Sequence, residues 1–386
     1  MPTTRTCPFD PPPELSELRQ NAPIAPMAYP DGHVGWLVTS HALARRVLAD
    51  PRFSSRSDLH HLPVPGLQLP PPRPGAFMLA DPPTHTRYRR LLTGQFTVRR
   101  MNLLTPRIEQ ITNDVLAQMQ QAGPPADLVE SFALPIPSLV ICELLGVPYA
   151  DRGRFQQATR TMFTLHATPE QVLAARQEIS GFLAGLVHAK RTRPADDLLS
   201  DLVNGDGALT DDELVTMALT LLVAGHETTA NMLALGTFAL LSHPEQLAAL
   251  RAQPSLIDSA VEELLRYLTI LHLGTVRTAL EDAEIGGVTV KAGQTVTISL
   301  PAANRDPEAY DNPDTLDLSR RATGHVAFGH GIHQCLGQQL ARIEMRIGYQ
   351  ALFDRLPGLR LAADPQDIPI RADMSIYGVH RLPVTW

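Results

Sequence analysis

A mainly α-helical fold with a smaller β part is what this sequence of 386 residues predicts, on three observations. The middle third, from about 106 to 204, reads as successive helices of ordinary length. Thr210-Asp211-Asp212-Glu213 then sets a hydroxyl three residues ahead of a carboxylate. That is a capping box, and it starts a helix running to about Leu241, roughly 45 Å at 1.5 Å per residue. After Thr269 the pattern changes to strands at 274–279, 283–290 and 295–300, with turns at Gly286-Gly287 and Ala292-Gly293.

The remaining elements follow in order. Residues 34–39 read as a strand and 41–48 as a short helix ended by Pro51. Prolines at 63, 65, 70, 71, 72 and 74 bar a regular helix and predict an extended segment, either a linker or a loop over a binding site. Asp81-Pro82-Pro83 opens a helix to about Leu92, on which His85 and Arg89 share a face. Such an arginine-rich helix is commonly just a solvated face. Gly146 and Pro148 stop another helix, in which Cys142 reads as core, and 163–169 reads as a loop between helices. Ser255 is expected to cap the helix carrying Glu263 and Arg266, a pair set among Val261, Leu264, Leu265 and Leu268 and so expected to be buried. Asn304 to Pro307 and Pro313-Asp314 are turn sequences, and Met374 to Gly378 reads as a β-turn.

Composition narrows the function classes. With 44% hydrophobic and 19% charged residues, neither disorder nor a disulfide scaffold is indicated. Three cysteines at unrelated spacings fit a reducing compartment, and a net charge of −7 gives no support to nucleic-acid binding. The polar, proline-rich N-terminus lacks a signal pattern. Residues 214–241 are long enough to span a bilayer, but His226, Glu227, Thr228, Thr229 and Asn231 occupy their centre. They read instead as the buried spine of a soluble, cytoplasmic protein without a membrane anchor.

The chemistry centres on Phe328-Gly329-His330-Gly331-Ile332-His333-Gln334-Cys335-Leu336-Gly337. Its glycines deliver one cysteine to the start of a helix expected over 336–356, where free N–H groups and the helix dipole favour a thiolate. The stretch could be a buried structural cysteine, a zinc site of His330, His333 and Cys335, or a thiolate ligand to haem iron. Zinc spacing is wrong, since no C-x-x-C or H-x-x-x-H pair appears. The ten residues resemble the cysteine-loop signature of the cytochromes P450, whose positions are all filled by Phe328, Gly329, Gly331, His333, Cys335 and Gly337. Ala224-Gly225-His226-Glu227-Thr228-Thr229 likewise resembles that family's A-G-x-[DE]-T-[ST] motif, Asp81 to Arg89 its D-P-P-x-H-x-x-x-R helix, and Glu263 to Arg266 its E-x-x-R element.

The resemblance runs from about Gly35 to Trp386 and implies a single cytochrome P450 domain over 1–386, with haem between the long helix and the cysteine loop. It implies haem b (iron protoporphyrin IX) with Cys335 as axial ligand and with Phe328, Gly329, Gly337 and Ala224 against the cofactor. His85, Arg89, Arg277 and His325 would hold its propionates, and Glu263, Arg266 and Arg320 would form a structural triad. Thr228 would be the hydroxyl beside bound oxygen and Glu227 the acid behind it. Leu221, Ala224, Leu273, Ile376 and Tyr377 are the expected substrate-pocket residues, with Phe163 and Leu165 in the loop above and the proline-rich segment as a substrate loop.

The implied activity is insertion of one atom of O2 into a bulky hydrophobic substrate, such as a polyketide macrolide. Xenobiotic, steroid or terpenoid hydroxylation are the alternatives. No flavin or iron–sulfur motif is present, so electrons from NAD(P)H are expected through ferredoxin and ferredoxin reductase, with Arg99, Arg100, Arg342 and Arg346 as docking candidates on an expected monomer. A peroxide-driven peroxygenase would replace the acid–alcohol pair, and an inactive partner-activating scaffold would lose the cysteine. Glu227, Thr228 and Cys335 are all present.

Overall fold

The computed structural model describes residues 1–65 and 71–386. They form two compact units, each built from discontinuous segments. The first takes Met1–Pro72, Met78–Asp81 and Ala239–Gln338, and the second takes Arg73–Phe77, Pro82–Phe238 and Gln339–Trp386.

The first unit contains the larger sheet, ordered Ile24–Ala28, Val34–Val38, Thr295–Ile298, Thr275–Ala279, Phe53–Ser54. Trp36 pairs with Val296 in parallel register, while Arg277 pairs with the same Val296 antiparallel from the other side. Val38, Val47, Phe53, Ile285, Val296, Ile298 and Val326 build the core against this sheet. The run expected as one strand over 283–290 is a hairpin, Ala283–Ile285 with Val288–Val290, because Gly286 and Gly287 both adopt positive φ at the turn. The strand expected to reach Leu300 ends at Ile298, where Ser299 caps a short helix, Leu300–Ala303. Ser255 is not a cap either. Pro254–Leu256 forms a 3-10 turn, and the helix Ile257–Leu268 follows without a side-chain cap.

The second unit is mostly helical, with a small sheet ordered Ala126–Asp127, Pro383–Thr385, Arg360–Leu361. The capping box forms as read: the Thr210 N–H donates to Glu213 Oε2 (2.8 Å) and the Glu213 N–H donates to Thr210 Oγ1 (3.2 Å). From it runs the helix Asp211–Ser242, unbroken at Gly225. Tyr349 of the helix Gln338–Arg355 donates its hydroxyl to the Met232 carbonyl, so close to Gly236 that a Cβ there would lie 2.0 Å from Oη. The first helix of the middle third begins at Val98 rather than near Pro106, capped by Thr97. Pro106 is tolerated inside it because it lies on an exposed stretch, and Asn102, whose carbonyl loses its helical partner, is exposed as well. Of the proline-rich segment, 66–70 lie outside the described residues, and the rest of 63–74 contains no helix. No helix among the described residues is long and apolar enough to cross a membrane.

Candidate active site

In the first unit the cysteine loop is held by its own backbone. The Cys335 N–H donates to the Phe328 carbonyl (2.8 Å) and the Gly329 N–H to the Val326 carbonyl (2.8 Å). Gly331 adopts φ +76° with its Cα against Leu48, where a Cβ would fall 2.4 Å from the carbonyl oxygen. Only glycine fits that position. Gly329 and Gly337 are the opposite case: a Cβ on either would meet nothing within 4 Å, so both leave open space beside the loop. The following helix starts at Gln338, two residues later than expected, so Cys335 precedes it by a turn at Leu336-Gly337. Cys335 is half-buried and takes part in no disulfide. Among the described residues no cluster of His, Cys, Asp and Glu could hold a metal ion by itself, His330, His333 and Cys335 included.

Arg277 lies on the strand Thr275–Ala279 and is buried. Its guanidinium donates to the Val276 carbonyl (2.8 Å) and to Thr275 Oγ1 (3.4 Å), and no carboxylate pairs with it among the described residues. Burial pulls its pKa down to about 10, against the distant pull of Asp81. A buried cation so poorly compensated calls for an anion. An open glycine-lined loop, one thiol and an uncompensated guanidinium fit a flat, acidic iron porphyrin. His325 is buried just ahead of the cysteine loop. Its Nε2 meets Glu262 (3.2 Å) and its Nδ1 accepts the Ala327 N–H (3.2 Å), so both nitrogens are engaged within the protein. Phe328 packs its ring 5.8 Å from that imidazole, and Leu273 is half-buried in the turn before the strand.

Glu263, Arg266 and Arg320 come together. Arg266 donates to both carboxylate oxygens of Glu263 at 2.7 Å, and Arg320 adds a bond to Oε1 at 3.0 Å. Neither Glu263 nor Arg266 is exposed at all. Arg266 also reaches the carbonyls of Asn304 and Pro313 (both 2.8 Å), which ties the helix to the turns expected there.

In the second unit the long helix is buried except along one stripe. Thr220, Val223, Ala224, Gly225 and Thr228 keep partial exposure, while Leu221, His226, Glu227 and Thr229 are buried. Thr228 Oγ1 donates to the Ala224 carbonyl (2.9 Å), so the alcohol sits folded back on its own helix. Gly225 packs on Ile141, whose Cδ1 would be 2.8 Å from an added Cβ. Glu227 is held by two groups: Arg371 Nη2 at 3.1 Å and Asn231 Nδ2 at 3.3 Å. Arg371 carried no sequence signal, since it lies 144 residues further along the chain. His226 is fully enclosed, and burial pushes its pKa down. Its Nδ1–H donates to the Leu222 carbonyl (2.7 Å) and its ring meets Phe155 edge-on.

His85 is buried and Arg89 half-buried on one face of the helix Thr84–Thr93, with Tyr88 and Leu92. Ile376 and Tyr377 are buried in the C-terminal turn, which bonds to the loop at 163–165: the Leu165 N–H donates to the Asp373 carbonyl (2.9 Å) and the Ser375 N–H to the Phe163 carbonyl (3.0 Å). Of the docking candidates, Arg99 is exposed, Arg342 and Arg346 are half-buried, and Arg100 is taken up by Asp201 at 2.9 Å.

Comparison with known proteins identifies the family. The Cytochrome P450 family model matches residues 171–254 and 251–357. Cytochrome P450 105C1 of a Streptomyces species is 53% identical over 384 residues, covering 100% of this chain and 97% of the relative. The crystal structure of CYP105P1 in complex with filipin I is 44% identical with a TM-score of 0.96, covering 100% of this chain and 98% of that one. The mycinamicin VIII C21 methyl hydroxylase MycCI from Micromonospora griseorubida, bound to mycinamicin VIII, is 38% identical with a TM-score of 0.93 over 100% and 99% of the two chains. Identity of this depth along the whole length places the chain in the cytochrome P450 family, as a monooxygenase.

Proposed function

We propose that this protein binds haem b through Cys335 and hydroxylates a bulky, hydrophobic natural product such as a polyketide macrolide. The observation that carries this is the pairing, in one chain, of a thiol on an open glycine loop with a helix that exposes an alcohol beside a buried acid. The bound haem supplies the oxygen-activating centre, to which thiolate donation adds electron density. The protein does the rest. Arg277, His85 and Arg89 neutralise the propionates by charge and fork geometry. Thr228 releases its Oγ–H from Ala224 to donate toward the reacting centre, and Glu227 resupplies that proton. Leu221, Leu273, Ile376 and Tyr377 offer an apolar lining that excludes water and orients the substrate.

The substrate class is supported by relatives whose structures hold filipin I and mycinamicin VIII, and by the apolar character of the residues assigned to the pocket. Electrons come from NAD(P)H through ferredoxin and its reductase in the cytoplasm, with exposed Arg99 and the pair Arg342 and Arg346 facing an acidic partner. The carbon monoxide difference spectrum of the reduced protein tests the thiolate. Wild type gives the haem-thiolate band and Cys335→Ala loses it. Spectral titration with filipin I, mycinamicin VIII and a panel of steroids and terpenoids tests the substrate class. Displacement of the haem-bound water only by small charged molecules would refute the assignment. Turnover with ferredoxin and reductase, compared with peroxide alone, separates a monooxygenase from a peroxygenase.

A further inference from the structure

The first unit holds a cluster of titratable side chains that the proposed chemistry does not use. His33, on the turn between Ile24–Ala28 and Val34–Val38, stacks on His61 with ring centroids 3.7 Å apart and planes 2° from parallel. His61 Nδ1 donates to Asp31 Oδ2 (2.6 Å), and Asp31 Oδ1 accepts the His33 N–H (3.1 Å). The Thr295 N–H donates to His33 Nε2 (3.1 Å), and the His61 N–H donates to Thr295 Oγ1 (3.3 Å). Thr295 is fully buried, so its N–H depends on that imidazole. A backbone N–H donates only to an unprotonated ring nitrogen, so His33 Nε2 carries no proton in this arrangement.

What the stack holds down is the stretch 57–61, which lies along the strand Thr275–Ala279. Thr278 Oγ1 donates to the Leu59 carbonyl (2.9 Å), and His60 Nε2 donates to the Ser54 carbonyl (3.3 Å). Ser54 pairs with Thr278, the neighbour of Arg277. His60 sits close enough to feel that arginine: burial first, and the Arg277 charge after it, bring its pKa down to about 4 against the Ser54 carbonyl, Asp81 and Asp58. His60 is therefore neutral, and it covers the buried guanidinium without compensating it. The stretch 57–61 is part of what keeps water from Arg277.

We propose that His33 and His61 form a proton-operated latch that fastens 57–61 over Arg277, and that opening it loosens the grip on the haem propionates. Closed, the latch keeps Arg277 dry, where its charge is worth most to a carboxylate. Protonating His33 at Nε2 sets two N–H groups against each other, orphans the buried Thr295 donor and places a cation against His61. The groups facing His33 are Asp31 on its own turn, His61 opposite, and Tyr29, whose hydroxyl burial pushes up to about 12. From the strand Thr295–Ile298 come only uncharged side chains. Burial and His61 hold the His33 pKa below its ordinary 6.5, while Asp31 pulls the other way. A base depressed in the closed state takes up its proton on opening. The latch is therefore fully made above about pH 6.5 and is lost as pH falls below it. The inference rests on the proposed role of Arg277 at the propionates.

The test follows amide hydrogen exchange at 57–61 and Thr295 in haem-loaded wild type and His33→Gln, from about pH 7.5 to about 5.5, scaled to the intrinsic rate at each pH. Glutamine offers the Thr295 N–H a carbonyl acceptor that does not titrate. Protection should fall about fivefold or more over that range in wild type and stay level in His33→Gln. Equal slopes overturn the latch. The second readout is the rate at which ferric haem transfers to excess apomyoglobin. Acid speeds that transfer in both proteins by protonating the propionates and the thiolate, so the wild-type excess over His33→Gln is the share due to the latch. That excess should reach about threefold at the acid end and disappear when Arg277→Leu is added to both proteins. No excess, or one that survives Arg277→Leu, overturns the link to Arg277. Should His33→Gln fail to fold, the His33 Cε1–H resonance of wild type decides. A midpoint that matches the fall in protection supports the latch, and one that does not match overturns it. A wild-type protein that takes up no haem would refute the parent reading instead, while exchange in the protein as purified still judges the latch.

Discussion

Arg266 shows what a buried charge asks of its neighbours. It is fully enclosed, satisfies Glu263 with two bonds and spends its other donors on loop carbonyls. Replacing it by leucine leaves Glu263 buried with Arg320 as its remaining cation, so Arg266→Leu should cost about 3–5 kcal/mol of stability in urea unfolding. Glu213 makes a pH-dependent contribution. Burial alone would raise its pKa, but the Thr210 N–H, Arg87 (2.6 Å) and the Tyr88 hydroxyl (2.7 Å) hold it down to about 2, from an ordinary 4.5. A carboxylate depressed in the folded state gives stability that is fully present above its unfolded pKa and lost as pH falls through the folded one. Urea unfolding of wild type should therefore weaken from about pH 4.5 down to about 2, and Glu213→Gln should flatten that window while lowering stability at neutral pH.

Where two helices meet, shape governs. Gly236 accepts the Tyr349 ring at a distance no side chain could share, and Tyr349 is itself buried and hydrogen-bonded. Gly236→Ala should cost about 1–3 kcal/mol in thermal unfolding, and adding Tyr349→Phe should recover part of it by removing the clashing oxygen. Elements whose signals are local were legible beforehand. The Thr210–Glu213 box, the Gly146 stop, the break expected at 163–169 and found at 164–168, and the strand after Gly274 depend on residues a few positions apart. Ser255 misled because a hydroxyl before a helix resembles a cap whether or not a 3-10 turn intervenes. The sequence neighbours of His325 do not reveal that Glu262, 63 residues earlier, meets its ring nitrogen. Arg371 gave no local sign for the same reason: its partner is set by the fold and not by spacing.

At the scale of the whole molecule the cofactor should matter to stability as well as to chemistry. A ligand bound only by the folded protein stabilises it by RT ln(1 + [L]/Kd), about 2.7 kcal/mol at a hundredfold excess over Kd. Haem-loaded protein should unfold at a higher temperature than protein stripped of haem, and Arg277→Leu should narrow the gap, as read by calorimetry of the four samples. The family and the mainly helical fold were legible because the motifs that carry them occur in order along the chain. The division into two interleaved units was not, since it depends on which distant segments meet. Val34–Val38 finds its parallel neighbour only at Thr295–Ile298. At about 5–20 residues per second, a ribosome needs on the order of ten seconds or more to make the intervening chain. Throughout that interval the nascent strand has an unsheltered edge, so newly made protein should depend on chaperones until translation nears its end.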